Sequence, residues 1–493
     1  MSTVIDAPLR YKTVLDSLNI KAENLPVATF SDYNALADKT EQERLSASLE
    51  VFFNLLEQDK INFKNIDKNS IDFLISKIDD MLGQQLDTIL HHPAFQKVES
   101  LWKSVHFLVD RTDFNSNIEV DLLDVSKEDL MEDFEDALDI TQSGLYKQVY
   151  VNEYDTPGGK PYSVILSDYE FSNKNYDINL LKDLARVASS AHCPFLANVG
   201  PQFFGKNNMD EVSRIQDLKE YFERPEYIRW NKFRETEDAR FIGLVMPKFL
   251  LRLPYGENNP IRGFDYQEQF STEQEGNYLW GAASFAFTSN LVRSFKKHGW
   301  TVGIRGPEAG GRVEDLLVHH YLSPRGLESK IPVEMLIPET RELELAELGL
   351  IPFSYYKNSD YACFFSANSV HKSSLFDDPD LTANSRINAR LPYIFLASRI
   401  GHYLKVLQRE NLGGIKDRSV LEQELNTWLN NLVTAMPNPG TELIAKRPLR
   451  HGQVKVSDIE DNPGNYKVEF YIVPHFQVEG MDIKLSLMSK LPA

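Results

Sequence analysis

The sharpest alternation of apolar and polar positions falls at the C-terminal end of the chain. Three runs there repeat with period two: Gln453 to Val456, Tyr466 to Val473 and Asp482 to Met488. Val454 and Val456 share a face of the first run, Val468, Phe470 and Ile472 of the second, and Ile483, Leu485 and Leu487 of the third. Lys455, Lys467, Glu469, Asp482 and Lys484 point the other way. Asn462-Pro463-Gly464-Asn465 is a turn signal between the first two runs, and Gly480 breaks the chain before the third. A few strands with one apolar face and open edges are marginal alone. The pattern therefore predicts a β-module over residues 446–493 that packs on something else or takes strands from elsewhere.

A helical period governs the beginning of the chain. Within a tail of residues 1–35, Tyr11, Val14, Leu15 and Leu18 make a narrow apolar stripe between Pro8 and Asn24-Leu25-Pro26. A lone amphipathic helix of this kind either docks on its own domain or serves as a handle for a partner. A helical segment, residues 36–112, follows. Thr40 with Glu43 fits a capping box ahead of Leu45, Leu49, Phe52, Phe53 and Leu56. Ile71, Leu74, Ile75, Ile78 and Leu82 mark a second helix, and Phe95, Val98, Leu101, Trp102 and Val105 a third. His91-His92, just before Pro93, has no second ligand pair at metal spacing and reads as a helix-end feature rather than a metal site.

Residues 113–445 read as a mixed α/β core. Asn117 to Val125 alternates as a strand, and Ser126 with Asp129 starts an acidic helix in which Leu130, Phe134 and Leu138 face inward. The acids from Glu128 to Asp139 lack the spacing and glycine of a calcium loop, so they read as a solvated face. Strand-like Tyr162 to Leu166, helical Asp177 to Ala191 and strand-like Pro194 to Asn198 form a β-α-β pattern, which implies a sheet covered by helices. Phe241 to Leu253 is almost continuously apolar, but Pro247, Lys248 and Arg252 make it a buried strand and turn rather than a membrane span. In Leu391 to Gln408, Ile394, Phe395, Ala397, Ser398, Gly401, His402 and Leu404 cover most of a helix surface, which predicts packing on more than one side. Glu422, Leu425, Trp428 and Leu432 mark another helix, and Pro437-Asn438-Pro439-Gly440 leads into the terminal module.

Composition narrows the function. The 493 residues are 42% hydrophobic and 25% charged, ordinary values for a globular protein of two or three domains. A net charge of −19 argues against nucleic-acid binding, which needs concentrated lysine and arginine. The sequence shows neither a secretory leader nor a run long enough to span a bilayer, which places the protein in the cytoplasm with no membrane insertion. Cys193 and Cys363, each flanked by apolar residues, read as buried free thiols.

Little else resembles chemistry. Gly303-Ile304-Arg305-Gly306-Pro307-Glu308-Ala309-Gly310-Gly311-Arg312 could be drawn as a phosphate loop, but it lacks the Gly-Lys-Ser/Thr end and the dinucleotide spacing. A tight loop, with glycines at positive φ and Arg305 paired to a carboxylate, fits better. His319-His320 is an isolated pair, and there is no Gly-x-Ser-x-Gly, His-Glu-x-x-His or Cys-x-x-Cys. The residues name no catalytic constellation, metal site or cofactor. An enzyme holding nucleotide or phosphate on residues 303–311 remains an alternative.

Several ordered blocks carry a family likeness. His91-His92-Pro93-Ala94-Phe95-Gln96-Lys97-Val98-Glu99 with Trp102, Leu250-Leu251-Arg252-Leu253-Pro254-Tyr255-Gly256, Leu279-Trp280-Gly281, Gly299-Trp300 through Gly311, and Pro474-His475-Phe476-Gln477 resemble the large sheath subunit of type VI secretion systems, the TssC/VipB family. The resemblance runs from about Ser70 to Pro492. It implies a structural, non-enzymatic protein with a sheath-type α/β core, paired with a small subunit (TssB/VipA). Such heterodimers stack on a baseplate as a helix around a tube of Hcp. Contraction drives the tube outward, and the AAA+ ATPase ClpV dismantles the spent sheath. The resemblance further implies strand exchange between neighbouring heterodimers through Val454, Val456, Val468, Phe470, Ile472, Ile483, Leu485 and Leu487. It implies a ClpV handle on an N-terminal helix, for which Val14, Leu15, Leu18 and Ile20 are the candidates, and so favours a handle over docking. A sheath from a phage-like particle outside type VI secretion would share the mechanics without that handle.

Overall fold

Where the chain leaves its first helices, local sequence sets each boundary. The computed structural model describes residues 68–269, 277–323, 326–374, 376–410, 418–434, 436, 439–458, 466–475 and 485–490, with isolated positions from 40 to 48. Val14, Leu15, Leu18, Ile20, the Leu49–Leu56 stripe, the turn at Asn462–Asn465, Gly480 and Ile483 lie outside the described residues. Two compact units are distinguished, residues 1–84 with 263–266 and residues 85–262 with 267–493. Helix α1 spans Lys68–Leu90 and α2 spans Pro93–Asp110. His92 caps α2: its Nδ1 accepts from the Ala94 amide at 3.3 Å, and Pro93 stands at the first position, where a missing N–H costs nothing. The histidine doublet is thus the helix-end feature its sequence suggests.

Two local expectations fail in the next stretch. Among the described residues, Asn117 to Val125 pairs with no strand. Its apolar ends, Ile118 and Val125, pack on the body of the protein, and those side-chain contacts take the place of a ladder. Helix α3, Lys127–Asp136, does have the full capping box between Ser126 and Asp129, and it buries Leu130. It ends before Leu138, which is 95% exposed instead of facing inward.

The large unit is built on a parallel sheet. Strand β1, Ile165–Phe171, connects through α4, Asn175–Ala191, to β2, Phe195–Val199, and β3 follows at Ile242–Met246. The β1 pattern starts later than Tyr162, but the β-α-β unit forms as its sequence suggests. After the cis Met246–Pro247 bond come β4, Phe249–Arg252, and β5, Leu279–Gly281, an antiparallel pair. Helix α5 covers Ala283–His298. Strand β6, Arg312–Val313, and the hairpin of β7, His319–Ser323, with β8, Gly326–Lys330, precede α6, Glu339–Glu347. Strand β9, Leu350–Pro352, completes the parallel order β1-β2-β3-β9, while β10, Ser354–Tyr355, and β11, Ala362–Cys363, join β6.

Every residue of β2 and β3 is buried, as a parallel sheet covered on both faces requires. Asn198 on β2 fixes α5 by accepting from the Ser284 amide at 2.9 Å and donating to Ser284 Oγ at 3.0 Å. Gly243 is needed where helix and sheet meet: a Cβ there would stand 2.6 Å from Leu196 Cδ2 and 2.9 Å from Leu391 Cδ1. Both cysteines are buried and unpaired, and burial pushes the Cys363 thiol up to about 12.

Helix α7, Leu391–Glu410, joins this core to a second one. Its Leu391, Ile394 and Phe395 pack with the sheet, while Tyr393, Leu396, Ala397, Ile400 and Leu404 face α8, Arg418–Asn430, and the terminal strands. Those strands are β12, Leu449–Asp458, β13, Tyr466–Pro474, and β14, Leu485–Lys490, in the antiparallel order β12-β13-β14.

Polar groups bind α7 to the end of α4. His402 Nε2 donates to the Ala191 carbonyl at 3.1 Å, which the Tyr154 hydroxyl also approaches, at 2.5 Å. His192 closes α4 in the left-handed conformation, φ 48°, and its ring lies by that of Phe241. The Lys405 ammonium sits over the Tyr150 and Tyr154 rings, and Arg409 donates to the carbonyls of Glu153, Tyr154, Thr156 and Gly159. Burial holds His402 and His192 well below the ordinary value of 6.5, to about 3 each; the charge of Lys405 adds to this for both, and those of His192 and Arg399 for His402. In the unfolded chain both regain ordinary values and take up protons below pH 6.5. Their contribution to stability is therefore full above that pH and declines as pH falls toward 3. The thermal midpoint should drop as pH is lowered through this window, and His402→Gln should flatten the drop in a calorimetric pH series. An unchanged slope in that variant would show that the histidine does not carry it.

Candidate assembly surfaces

The terminal sheet satisfies one face and one edge within its own chain. Across the ladder Val454 faces Phe470 and Phe470 faces Leu487, while Val456 faces Val468 and Ile472 faces Leu485. Directly opposed residues share a face, so the three apolar rows read from the sequence coincide. Val454, Val456, Val468, Phe470 and Ile472 are buried against α7 and α8, in a core with Trp300, Leu421 and Leu425. The something that the module packs on is its own chain. The outer edge of β12 is also covered. Asn426 on α8 donates to the Val454 carbonyl at 2.7 Å and accepts its N–H at 2.8 Å, in the manner of a neighbouring strand, and Glu422 accepts the Val456 N–H at 3.0 Å. Among the described residues, no strand pairs with the far side of β14.

A second surface lies on α2. The face it buries carries Ser104 and Leu108, and Ser100 donates to the Trp280 carbonyl at 2.7 Å. The regularly spaced row Phe95, Val98, Leu101 and Trp102 is exposed, Trp102 to 62%. The sequence period located the helix but marked the outward face. Contiguous apolar surface of this kind signals a protein contact, since water gains by its removal.

Behind α2 the sequence blocks His91–Glu99 and Leu250–Gly256 converge on a buried ionic cluster. Arg252 Nη1 lies 2.5 Å and Nη2 3.1 Å from the Glu268 carboxylate, Arg252 Nε lies 2.9 Å from Glu99, and the guanidinium stacks on the Tyr255 ring. Glu268 also accepts the Tyr255 amide at 2.8 Å and lies 3.1 Å from His91 Nε2. Burial alone would lower the Arg252 pKa, but its bond to Glu268 and the charges of Glu268 and Glu99 hold it above the ordinary value; burial alone would raise the Glu268 pKa, but Arg252, the Tyr255 amide and His91 hold it below its ordinary value. Such a cluster fixes geometry more than it adds stability, because removing one member strands the others without solvent.

The glycine-rich loop does not cradle an anion. Its amides turn inward: Gly303 N donates to Ser294 Oγ, Gly306 N to the Phe364 carbonyl and Gly311 N to the Gly306 carbonyl. Gly306 and Gly310 do adopt positive φ, 74° and 94°, and a Cβ at Gly310 would collide with the Gly303 carbonyl. The loop's ion pair joins Arg312 to Glu308 at 2.7 Å; among the described residues Arg305 makes none. A cavity of about 200 Å³ between Val212, Leu218, Met335 and Leu345 carries the Arg341–Glu344 ion pair and no nucleophile with a base beside it. No cluster of potential metal ligands, and no helix long and apolar enough to cross a membrane, occurs among the described residues.

Comparison with known proteins decides what these surfaces belong to. The EvpB/VC_A0108 tail sheath N-terminal domain model matches residues 72–371, and the tail sheath gpW/gp25-like domain model of the same family matches residues 380–491. The type VI secretion system sheath protein TssC1 of Pseudomonas aeruginosa is 36% identical over 464 residues, covering 92% of this chain and 93% of that one. The chain belongs to the TssC/VipB family of type VI sheath subunits. Two solved structures also align. The anti-feeding prophage baseplate does so with a TM-score of 0.36 and 9% identity over 77% of this chain and 80% of that one. The contracted helical sheath of the same particle gives 0.29 and 11% over 65% and 64%.

For a TssC/VipB subunit, the terminal sheet thus has a buried face, a β12 edge closed by α8 and, among the described residues, a β14 edge without a strand. Phe470→Ala is expected to cost about 3–5 kcal/mol, by lost burial and a residual cavity. Glu469→Gln, on the opposite face, should stay within about 0.5 kcal/mol. Urea denaturation of the two variants measures both; equal midpoints would contradict the packing described.

Proposed function

We propose that this chain is the large subunit of a contractile sheath that pairs with a small subunit of the TssB/VipA type. The pairs stack on a baseplate as a helix around an Hcp tube in the bacterial cytoplasm. The observation that carries this reading is the terminal sheet, whose inner face and β12 edge are closed while, among the described residues, no strand pairs with the far side of β14. A heterologous contact that does not close on itself generates an open helix. A strand added at an edge links neighbours through main-chain hydrogen bonds while leaving their bodies free to move. The residues of the proposed exchange, Val454, Val456, Val468, Phe470, Ile472, Ile483, Leu485 and Leu487, then divide the work. The side chains of Val454, Val456, Val468, Phe470 and Ile472 hold the sheet on α7 and α8, and the main chain of the strands carries the coupling.

The mechanical work comes from assembly. The extended sheath is the higher-energy packing of the same subunits, and contraction moves them to the lower one by rigid-body shifts at the interfaces. No hydrolysis by this chain is required, which agrees with amides of the glycine loop that are already bonded internally. Hydrolysis enters only at recycling, through ClpV acting on the tail helix with Val14, Leu15, Leu18 and Ile20.

Co-expression with the small subunit encoded beside it should yield tubules by negative-stain electron microscopy, and soluble pairs without tubules would count against the reading. In contracted tubules, Leu15→Asp with Leu18→Asp should leave the tubes intact when ClpV and ATP are added, whereas wild-type tubes dissolve. Disassembly at the wild-type rate would place the handle elsewhere.

A further inference from the structure

The run from Asn117 to Val125 has the alternation of a strand and the partners of none. No main-chain group in it makes a backbone hydrogen bond among the described residues. Side chains tether it all the same. Lys160 Nζ pairs with Glu119 at 2.5 Å, the Tyr162 hydroxyl donates to Asp121 at 3.2 Å, and the Tyr169 hydroxyl donates to the Val125 carbonyl at 2.6 Å. As the run proceeds from 119 to 125 its tethers proceed from 160 to 169, so it travels in the same direction as β1, the outer strand of its sheet. Side-chain ends bridge the two, and apart from the Val125 carbonyl the peptide groups of the run have no partner among the described residues. At its centre Leu122 and Leu123 are 68% and 59% exposed.

Charge indicates what would cover this run. Between Asn117 and Ser126 the ionisable residues are Glu119, Asp121 and Asp124, with no lysine or arginine, and Glu128 and Asp129 follow at the start of α3. Asp124 is exposed. Lys160 already pairs with Glu119, so a strand laid here must bring apolar side chains for the leucines and positive charge for Asp121 and Asp124.

We propose that Ile118–Val125 is a receiving edge for a strand of another polypeptide, one that alternates apolar residues with lysine or arginine. In the sheath this strand belongs to the small subunit. The proposal rests on the pairing argued above and adds its location. Adding a partner strand would convert tethered but unladdered chain into ordered sheet, giving main-chain bonds for affinity and side-chain alternation for register.

The test uses the full chain co-expressed with the small subunit. Leu122→Asp with Leu123→Asp should reduce the co-purified small subunit about tenfold or more, the scale of one lost hot spot. Circular dichroism and the thermal midpoint of the variant alone should match wild type, because both side chains are exposed. In the wild-type complex, hydrogen exchange of amides 118–125 should slow relative to the chain alone, a reading that needs no variant. Wild-type pairing with unslowed exchange, or undiminished pairing by a folded variant, overturns this proposal and leaves the sheath reading intact. A variant that pairs normally but forms no tubules assigns the edge to a second copy, which also overturns it. Failure of the wild-type chains to pair overturns both readings.

Discussion

Helix α7 is the constraint on which the rest of the molecule depends, because it is buried by two cores at once. Leu391, Ile394 and Phe395 close the parallel sheet, while Tyr393, Leu396, Ile400 and Leu404 form the floor for α8 and the terminal strands. A helix with a single apolar stripe could serve one of these. Small residues make the double role possible: Gly401 lets His192 and the tip of Phe470 approach within 4 Å of where a Cβ would stand. The polar joint at His402, Tyr154 and Arg409 then fixes α7 in direction. A force applied to the terminal strands reaches the sheet through this helix.

That arrangement suits the strand-edge coupling proposed above. A three-stranded sheet is marginal alone. Burying one face on α7 and α8 gives it a core, and Asn426 and Glu422 close one edge with side-chain amide and carboxylate groups in place of a strand. What stays open is limited and directional, the condition for assembly without indiscriminate aggregation. The buried Arg252–Glu268 cluster does a related service beneath α2. It locks the strand and loop behind a helix whose apolar row faces out, so that the row is presented on a rigid support.

Much of the fold was legible because it is local. The capping box at Ser126, His92 before Pro93, the β-α-β pattern around α4, and the period-two runs of the terminal strands each depend on neighbouring residues. Failures occurred where long-range contacts outvote local pattern. Asn117–Val125 alternates like a strand, but a strand exists only with a partner, and the chain supplies tethers instead. Leu138 continues the helical spacing of Leu130 and Phe134 beyond the end of its helix. On α2 the most regular apolar row faced outward, because the buried side, with Ser100, Ser104 and Leu108, is small and partly polar to admit a close approach to Trp280.

The sequence by itself determined the helices α2, α3, α4, α7 and α8, the strands of the β-α-β unit and of the terminal module, that α7 packs on more than one side, and the family that the ordered blocks resemble. These follow from periodicity, capping and motif order, properties of residues near each other in the chain. Only the tertiary structure decided which apolar rows are core and which are surface, that the terminal module rests on its own chain, that α8 closes the β12 edge, and that Arg252 meets Glu268 and Glu99 while His91 meets Glu268. Burial and edge pairing depend on elements far apart in sequence, and no local pattern records which of them will meet.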